Sequence, residues 1–119
     1  MPHVKLEHTE NMTPSKIKPI FNQLINILIE NALVKKENCK CRAIQISVYD
    51  TGNNDSDHYY HLEISLLKGR SKEIRQKIGQ MSLDSLKYYF ADNHGKSDKQ
   101  FSVEIREMNP KNYFTSNIL

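Results

Sequence analysis

HYYHLEISLLKGRSKEIRQKIGQM, residues 58–81, changes its hydrophobic period halfway along. From His58 to Leu67 the pattern alternates, with Leu62, Ile64 and Leu66 pointing one way, which predicts a strand. Beyond Gly69-Arg70-Ser71 the apolar residues Ile74, Ile78, Met81 and, further on, Tyr89 recur at helical spacing. Ser71 is placed to cap that helix, and Glu73 favours the positive end of its dipole. The stretch therefore reads strand, tight turn, helix.

The same grammar extends both ways. TGNNDSD, residues 51–57, is a turn, and Arg42 to Asp50 before it alternates through Ile44, Ile46 and Val48. Only that turn separates the two strands, so they are expected to form an antiparallel hairpin. ADNHGKSD, residues 91–98, ends the helix; Phe101, Val103 and Ile105 make a last strand, and Pro110 opens a polar tail. Toward the start, Ile17, Ile20, Phe21, Leu24, Ile27 and Leu28 predict an amphipathic helix that ends before KKENCK. Pro19 sits inside that pattern, so the helix either begins near Pro19 or bends after a short turn at Pro14. Val4 and Leu6 alternate with Lys5 and Glu7 in a first strand over residues 2–8.

The order is β-α-β-β-α-β, a duplicated β-α-β unit of the α+β class. It predicts one domain over residues 1–119, with right-handed crossovers and both helices on one face of a four-stranded sheet. The other face is left open, and Tyr59, His61, Glu63, Ser65 and Leu67 would lie on it. That mixed set suits a partner.

Composition narrows the class. The chain has 119 residues, 38% hydrophobic and 26% charged, with a mean hydropathy of -0.66, as expected of a soluble domain. Its formal charge of +3 is mild, and its basic residues are scattered, which argues against a nucleic-acid surface. No apolar run approaches a membrane span, and no signal peptide precedes the first strand. The only cysteines, Cys39 and Cys41, are too tightly spaced for an ordinary disulfide and too few for a zinc site. They read as reduced thiols of a cytoplasmic protein.

Pro2 is the first candidate for chemistry. Removal of Met1 would leave it as a secondary amine, which can act as a base if its pKa falls near working pH. Neighbouring cations and partial burial would supply that depression. The plainer alternative is that Pro2 only starts an edge strand. Lys40-Cys41-Arg42 and Gly69-Arg70-Ser71 are the second and third candidates. Arginine holds carboxylates with a two-pronged fork and keeps its charge, so Arg42 and Arg70 could bind an anion and depress an amine together. They could equally be solvated loop charges. His3 and His8 differ in strand parity, as do His58 and His61, and His94 lies in a loop, so no metal site is expected. Nucleophile-elbow, zinc-protease, Walker and dinucleotide fingerprints are missing.

Several segments together resemble the 5-carboxymethyl-2-hydroxymuconate delta-isomerase family of the tautomerase superfamily. They are MPH with Glu7, IKPIF around Pro19, KCRAI at 40–44, HLEISLLKGRSKEIRQKIGQM at 61–81 and FSVEIREMNP at 101–110. The resemblance implies a homotrimer with the open sheet faces at its centre, and proton transfer without a cofactor. By position it makes Pro2 the catalytic base and Arg70 a substrate-carboxylate arginine. Arg42 becomes the second arginine of an R-x-R pair, whose first place is taken here by Lys40. Lysine offers a point charge where arginine offers a fork.

The expected function is thus isomerisation or tautomerisation of an unsaturated 2-oxo or 2-hydroxy acid with two or three carboxylates, such as 5-carboxymethyl-2-hydroxymuconate. Pro2 would act as base, and Arg70, Arg42 and Lys40 would hold the substrate. The alternative is a non-enzymatic ferredoxin-like module that binds a small molecule or oligomerises. RNA binding on the open sheet is weaker still, because its strands lack the aromatic signature.

Overall fold

The computed structural model describes residues 1–52, 58–91 and 99–116. Most of the turns expected at 51–57 and 91–98, His94, and the last three residues lie outside them. Strand β1 is His3–His8, helix α1 Pro14–Ala32, β2 Lys40–Gln45, β3 Tyr59–Leu67, α2 Lys72–Tyr89 and β4 Gln100–Met108. Short 3-10 turns at Lys36–Asn38 and Pro110–Asn112 precede β2 and follow β4.

The four strands form one sheet in the order β2-β1-β3-β4. β1 runs parallel to β2 and β3 parallel to β4, so each β-α-β unit pairs its own strands. The units meet through antiparallel pairing of β1 with β3, where Leu6 faces Leu62. This corrects the expected hairpin: β2 and β3 are not neighbours, because β1 lies between them. It also removes the split-strand, ferredoxin-like alternative, since the parallel strands of each unit are adjacent. Beyond β2 the chain steps over the end of β1, where the Ile46 amide donates to the His8 carbonyl at 2.8 Å.

β2 ends at Gln45, short of the expected Asp50, because its last partner is His8 and β1 offers nothing further to pair with. Val48 is accordingly 91% exposed. Pro14 occupies the first turn of α1, and the helix continues through Pro19, which is exposed and leaves the Ser15 carbonyl to solvent. The core lies between one sheet face and the helices. Val4, Leu6, Tyr60, Leu62 and Ile64 meet Ile20, Leu24, Leu28, Ile78 and Leu86 there. In α2 the fully covered stripe is Ile78, Ser82 and Leu86, while Ile74, Met81 and Tyr89 flank it half-buried. On the opposite face Glu63 pairs with Lys5 at 3.8 Å and with Arg106 at 3.6 Å. No helix among the described residues is long and apolar enough to cross a membrane.

Candidate active site

Pro2 immediately precedes β1 and is buried on the helix-facing side, in line with Val4 and Leu6. Its carbonyl accepts the Lys40 amide at 3.0 Å, which extends the β1–β2 ladder by one step and pins the terminus between the two strand starts. Proline suits this place because only its carbonyl is needed there.

Arg70 reaches the same point from the other unit. Gly69 turns the chain at φ 136, a conformation few other residues accept, between the end of β3 and the Ser71 cap of α2. The Arg70 Nη1 donates to the Leu67 carbonyl and Nη2 to the Ala32 carbonyl, each at 3.1 Å. The guanidinium thereby ties the C-terminal end of α1 to the end of β3 and is held in one orientation. α1 closes just beyond, where Leu33 takes a left-handed conformation with φ 56.

Pro2, Leu67 and Arg70 border a cleft of about 340 Å³. Its outer wall is the loop after α1, which contributes Lys35, Glu37 and Asn38. The terminal amine, carried by Met1, is held below its ordinary value of 8.0, first by burial and then by the Arg70 guanidinium; Cys39 opposes them. A wider groove of about 640 Å³ runs between α2 and β4, lined by Arg75, Gly79, Val103 and Ile105. It is remote from the terminus, so the smaller cleft is the one that joins an amine to a cation.

The four residues singled out in the sequence separate into two groups. Pro2 and Arg70 share the cleft. Arg42 pairs in register with Lys5, and Lys40 with His3, which puts both on the open sheet face. There the imidazole of His3 is held below its ordinary value of 6.5, by burial first and then by Arg42, the terminal amine and Lys40. His3 Nε2 also meets the Tyr113 hydroxyl at 2.8 Å, where the tail folds back over the face. The Lys40 ammonium reaches round to donate to the Glu37 carbonyl at 3.0 Å. Lys35, Glu37 and Asn38 were not singled out from the sequence as site residues. The signal available was the charge cluster KKEN directly after a helix.

The other described histidines have structural partners. His8 Nδ1 donates to the Glu10 carbonyl, His58 Nδ1 bonds Thr9 Oγ1, and His61 Nδ1 bonds Ser102 Oγ. Among the described residues no group of three or more His, Cys, Asp and Glu side chains could hold a metal ion. Cys39 and Cys41 are free thiols, and burial pushes Cys41 up to about 11.

A duplicated β-α-β sheet with a terminal amine beside an arginine defines a tautomerase-like protein. The family model for 5-carboxymethyl-2-hydroxymuconate isomerase matches residues 2–119, and the chain belongs to that family. It is therefore an isomerase of the tautomerase superfamily, and the non-enzymatic alternative falls. A 5-carboxymethyl-2-hydroxymuconate isomerase from Deinococcus radiodurans R1 superposes with a TM-score of 0.83 at 25% identity, over 98% of this chain and 90% of that one. A fused 4-OT symmetric trimer gives 0.77 at 12% identity, over 98% and 94%. A macrophage migration inhibitory factor-like protein from Entamoeba histolytica gives 0.68 at 15%, over 97% and 95%. The last two show a shared fold. No curated protein sequence matches the chain.

Proposed function

We propose that this isomerase transfers a proton along a conjugated 2-oxo or 2-hydroxy acid bearing more than one carboxylate, with the imino nitrogen of Pro2 as base after removal of Met1. The observation that carries this reading is the position of the terminus. In the full chain the terminal amine, carried by Met1, lies partly buried in a cleft beside Arg70, where burial and the guanidinium lower its proton affinity, and Pro2 lines the same cleft one residue on. A base of near-neutral pKa accepts a carbon-bound proton and returns it elsewhere on the same skeleton, so no cofactor is called for. Arg70 would bind one carboxylate and stabilise the negative charge that develops on the adjacent oxygen.

Arg42 fits this scheme only through a second copy of the chain, because it stands on the sheet face turned away from the cleft, whereas the Lys40 ammonium reaches round to the Glu37 carbonyl at the cleft wall. We therefore read the working unit as a homotrimer in which the open faces meet. The fused 4-OT relatives of the same fold are trimers. The two free thiols suit a reducing, cytoplasmic compartment.

The test follows ultraviolet absorbance as 2-hydroxymuconate and phenylenolpyruvate are converted by processed wild type and by Pro2→Ala, with intact mass confirming the terminus. Turnover by wild type alone is expected, and protein that keeps Met1 should be inactive because its proline nitrogen is an amide. Equal rates for the two proteins would remove Pro2 as base.

A further inference from the structure

Helix α1 closes on a residue that backbone energetics disfavours. A left-handed helix end normally belongs to glycine, and less often to asparagine, because that conformation crowds a β-carbon. Here it belongs to Leu33, at φ 56 and ψ 35, the one non-glycine residue with positive φ among the described residues. Core packing does not compensate, since Leu33 is 88% exposed. The strained turn is held from both sides. Ala32 is buried, Val34 packs against the core, and Arg70 Nη2 donates to the Ala32 carbonyl at 3.1 Å. Leu33 is thereby fixed beside the Arg70 guanidinium, and the two residues line both the Pro2 cleft and a cavity of about 450 Å³ bounded by Ala32 and Ile74. In the Pro2 cleft, Leu33, Val34 and Leu67 are the apolar lining, and Arg70 and Lys35 bring charge. The Lys40 ammonium, on the Glu37 carbonyl at 3.0 Å, adds a further cation at the wall. A ligand with carboxylates at its ends and hydrocarbon between them matches this division.

On the reading of this cleft as the acid-binding site, we propose that Leu33 is a specificity-determining residue whose side chain covers the unsaturated carbon chain of the bound acid. The cations, with Arg42 of a second copy among them, answer the carboxylates, whatever their number. Leu33 acts on what lies between, a flat apolar chain that no charge can hold. Covering it takes apolar surface of both leucine and ligand out of water. Glycine at this turn would be the more stable choice and would leave the chain uncovered.

Leu33→Gly and Leu33→Asn test this, because both residues accept the left-handed turn while neither offers an apolar side chain. Leu33→Met keeps the apolar cover. Calorimetric titration of processed protein uses cis,cis-muconate, a conjugated diacid without a hydroxyl that binds without ketonising. The result therefore stands whether or not Pro2 is the base, which the Pro2→Ala assay judges separately. Leu33→Gly and Leu33→Asn should each weaken muconate by about five- to twentyfold, the loss expected when part of a leucine contact is removed. Leu33→Met should stay within about threefold of wild type. Tyr88→Ala removes a comparably exposed side chain near the far end of α2, and should leave muconate binding unchanged. Thermal unfolding should move the other way, with Leu33→Gly raising Tm by about 2–5 °C as the strain is relieved. Sedimentation velocity should give the same assembly for wild type and all variants. Unchanged muconate binding in Leu33→Gly and Leu33→Asn, an equal loss in Tyr88→Ala, or a lower Tm in Leu33→Gly would overturn the proposal. A smaller assembly in the Leu33 variants would also overturn it, by making Leu33 a contact between copies. Absence of saturable muconate binding to wild type would remove the acid-binding reading of the cleft and this role with it.

Discussion

The two ends of the sheet are built alike and finished differently. At the N-terminal end, Arg70 donates to the Ala32 carbonyl at the close of α1; at the far end, Lys99 donates to the Phe90 carbonyl at the close of α2, at 3.0 Å. In each unit a cation thus serves the exposed carbonyls of a helix end. The difference lies in what neutralises it. Lys99 is paired with Glu10 at 2.8 Å, its side chain only 10% exposed, and Glu10 also accepts the hydroxyl of buried Tyr60. Tyr60 in turn stacks on Phe90 and Phe101. Among the described residues Arg70 makes no ion pair, and it faces a cleft. One end spends its cation on stability, and the other leaves a charge available to a ligand.

Loss of the proposed base should have the largest effect. Pro2→Ala in processed protein should lower kcat by about 10²–10⁴-fold, the range for a general base, with KM nearly unchanged. Progress curves on 2-hydroxymuconate report this directly. The same class of change at the sealed end, Lys99→Met, should leave kcat intact, and a comparable loss there would break the contrast between the two ends.

Arg70→Ala should act on both properties. The Leu67 and Ala32 carbonyls lose their donor, at a cost of about 1–3 kcal/mol in urea denaturation, and kcat/KM for a dicarboxylate should fall by about tenfold or more. Arg70→Lys keeps the charge but not the fork, so it should recover part of the stability and little of the affinity.

Glu10→Gln sharpens the comparison from the other side. Lys99 would be left poorly paired, so stability should fall by about 2–3 kcal/mol while kcat/KM stays level. Its pH signature has a definite sign. Burial alone raises the Glu10 carboxyl, but hydrogen bonds from Lys99 and Tyr60 and the Lys99 charge outweigh it and hold the group below 4.5. The stabilisation is therefore fully present above about 4.5 and is lost as pH falls through the lower folded value. Denaturation midpoints measured across that range should drop for wild type and stay flatter for Glu10→Gln.

The smallest effect concerns His3. Because its folded value lies below 6.5, the folded state prefers the neutral ring, and stability should begin to fall as pH drops below 6.5. His3→Gln should lose that slope. An unchanged slope would mean that His3 is not the group responsible for it.

Much of this was legible in the chain. The strand of residues 58–67, the cap at Ser71 and the amphipathic helices are local features, because alternation and helical spacing are written in neighbouring residues. The arginine at Gly69-Arg70-Ser71 could be marked for the same reason. The strand order could not, since nearness in sequence favoured pairing β2 with β3, while the sheet pairs β1 with β3. The end of β2 was misplaced because it depends on where its neighbour stops. Lys35 and Glu37 escaped notice because their loop matters only once folding brings it opposite Pro2.

The amino-acid order alone determined which segments become strands and helices and which residues carry useful charge, because period and capping are properties of adjacent residues. Only the tertiary structure decided that Pro2 and Arg70, far apart in the chain, face one cleft while Arg42 turns to the opposite sheet face. The physical reason is register. A strand alternates its side chains between two faces, so the pairing of β1 with β2 and β3 decides which charges can meet.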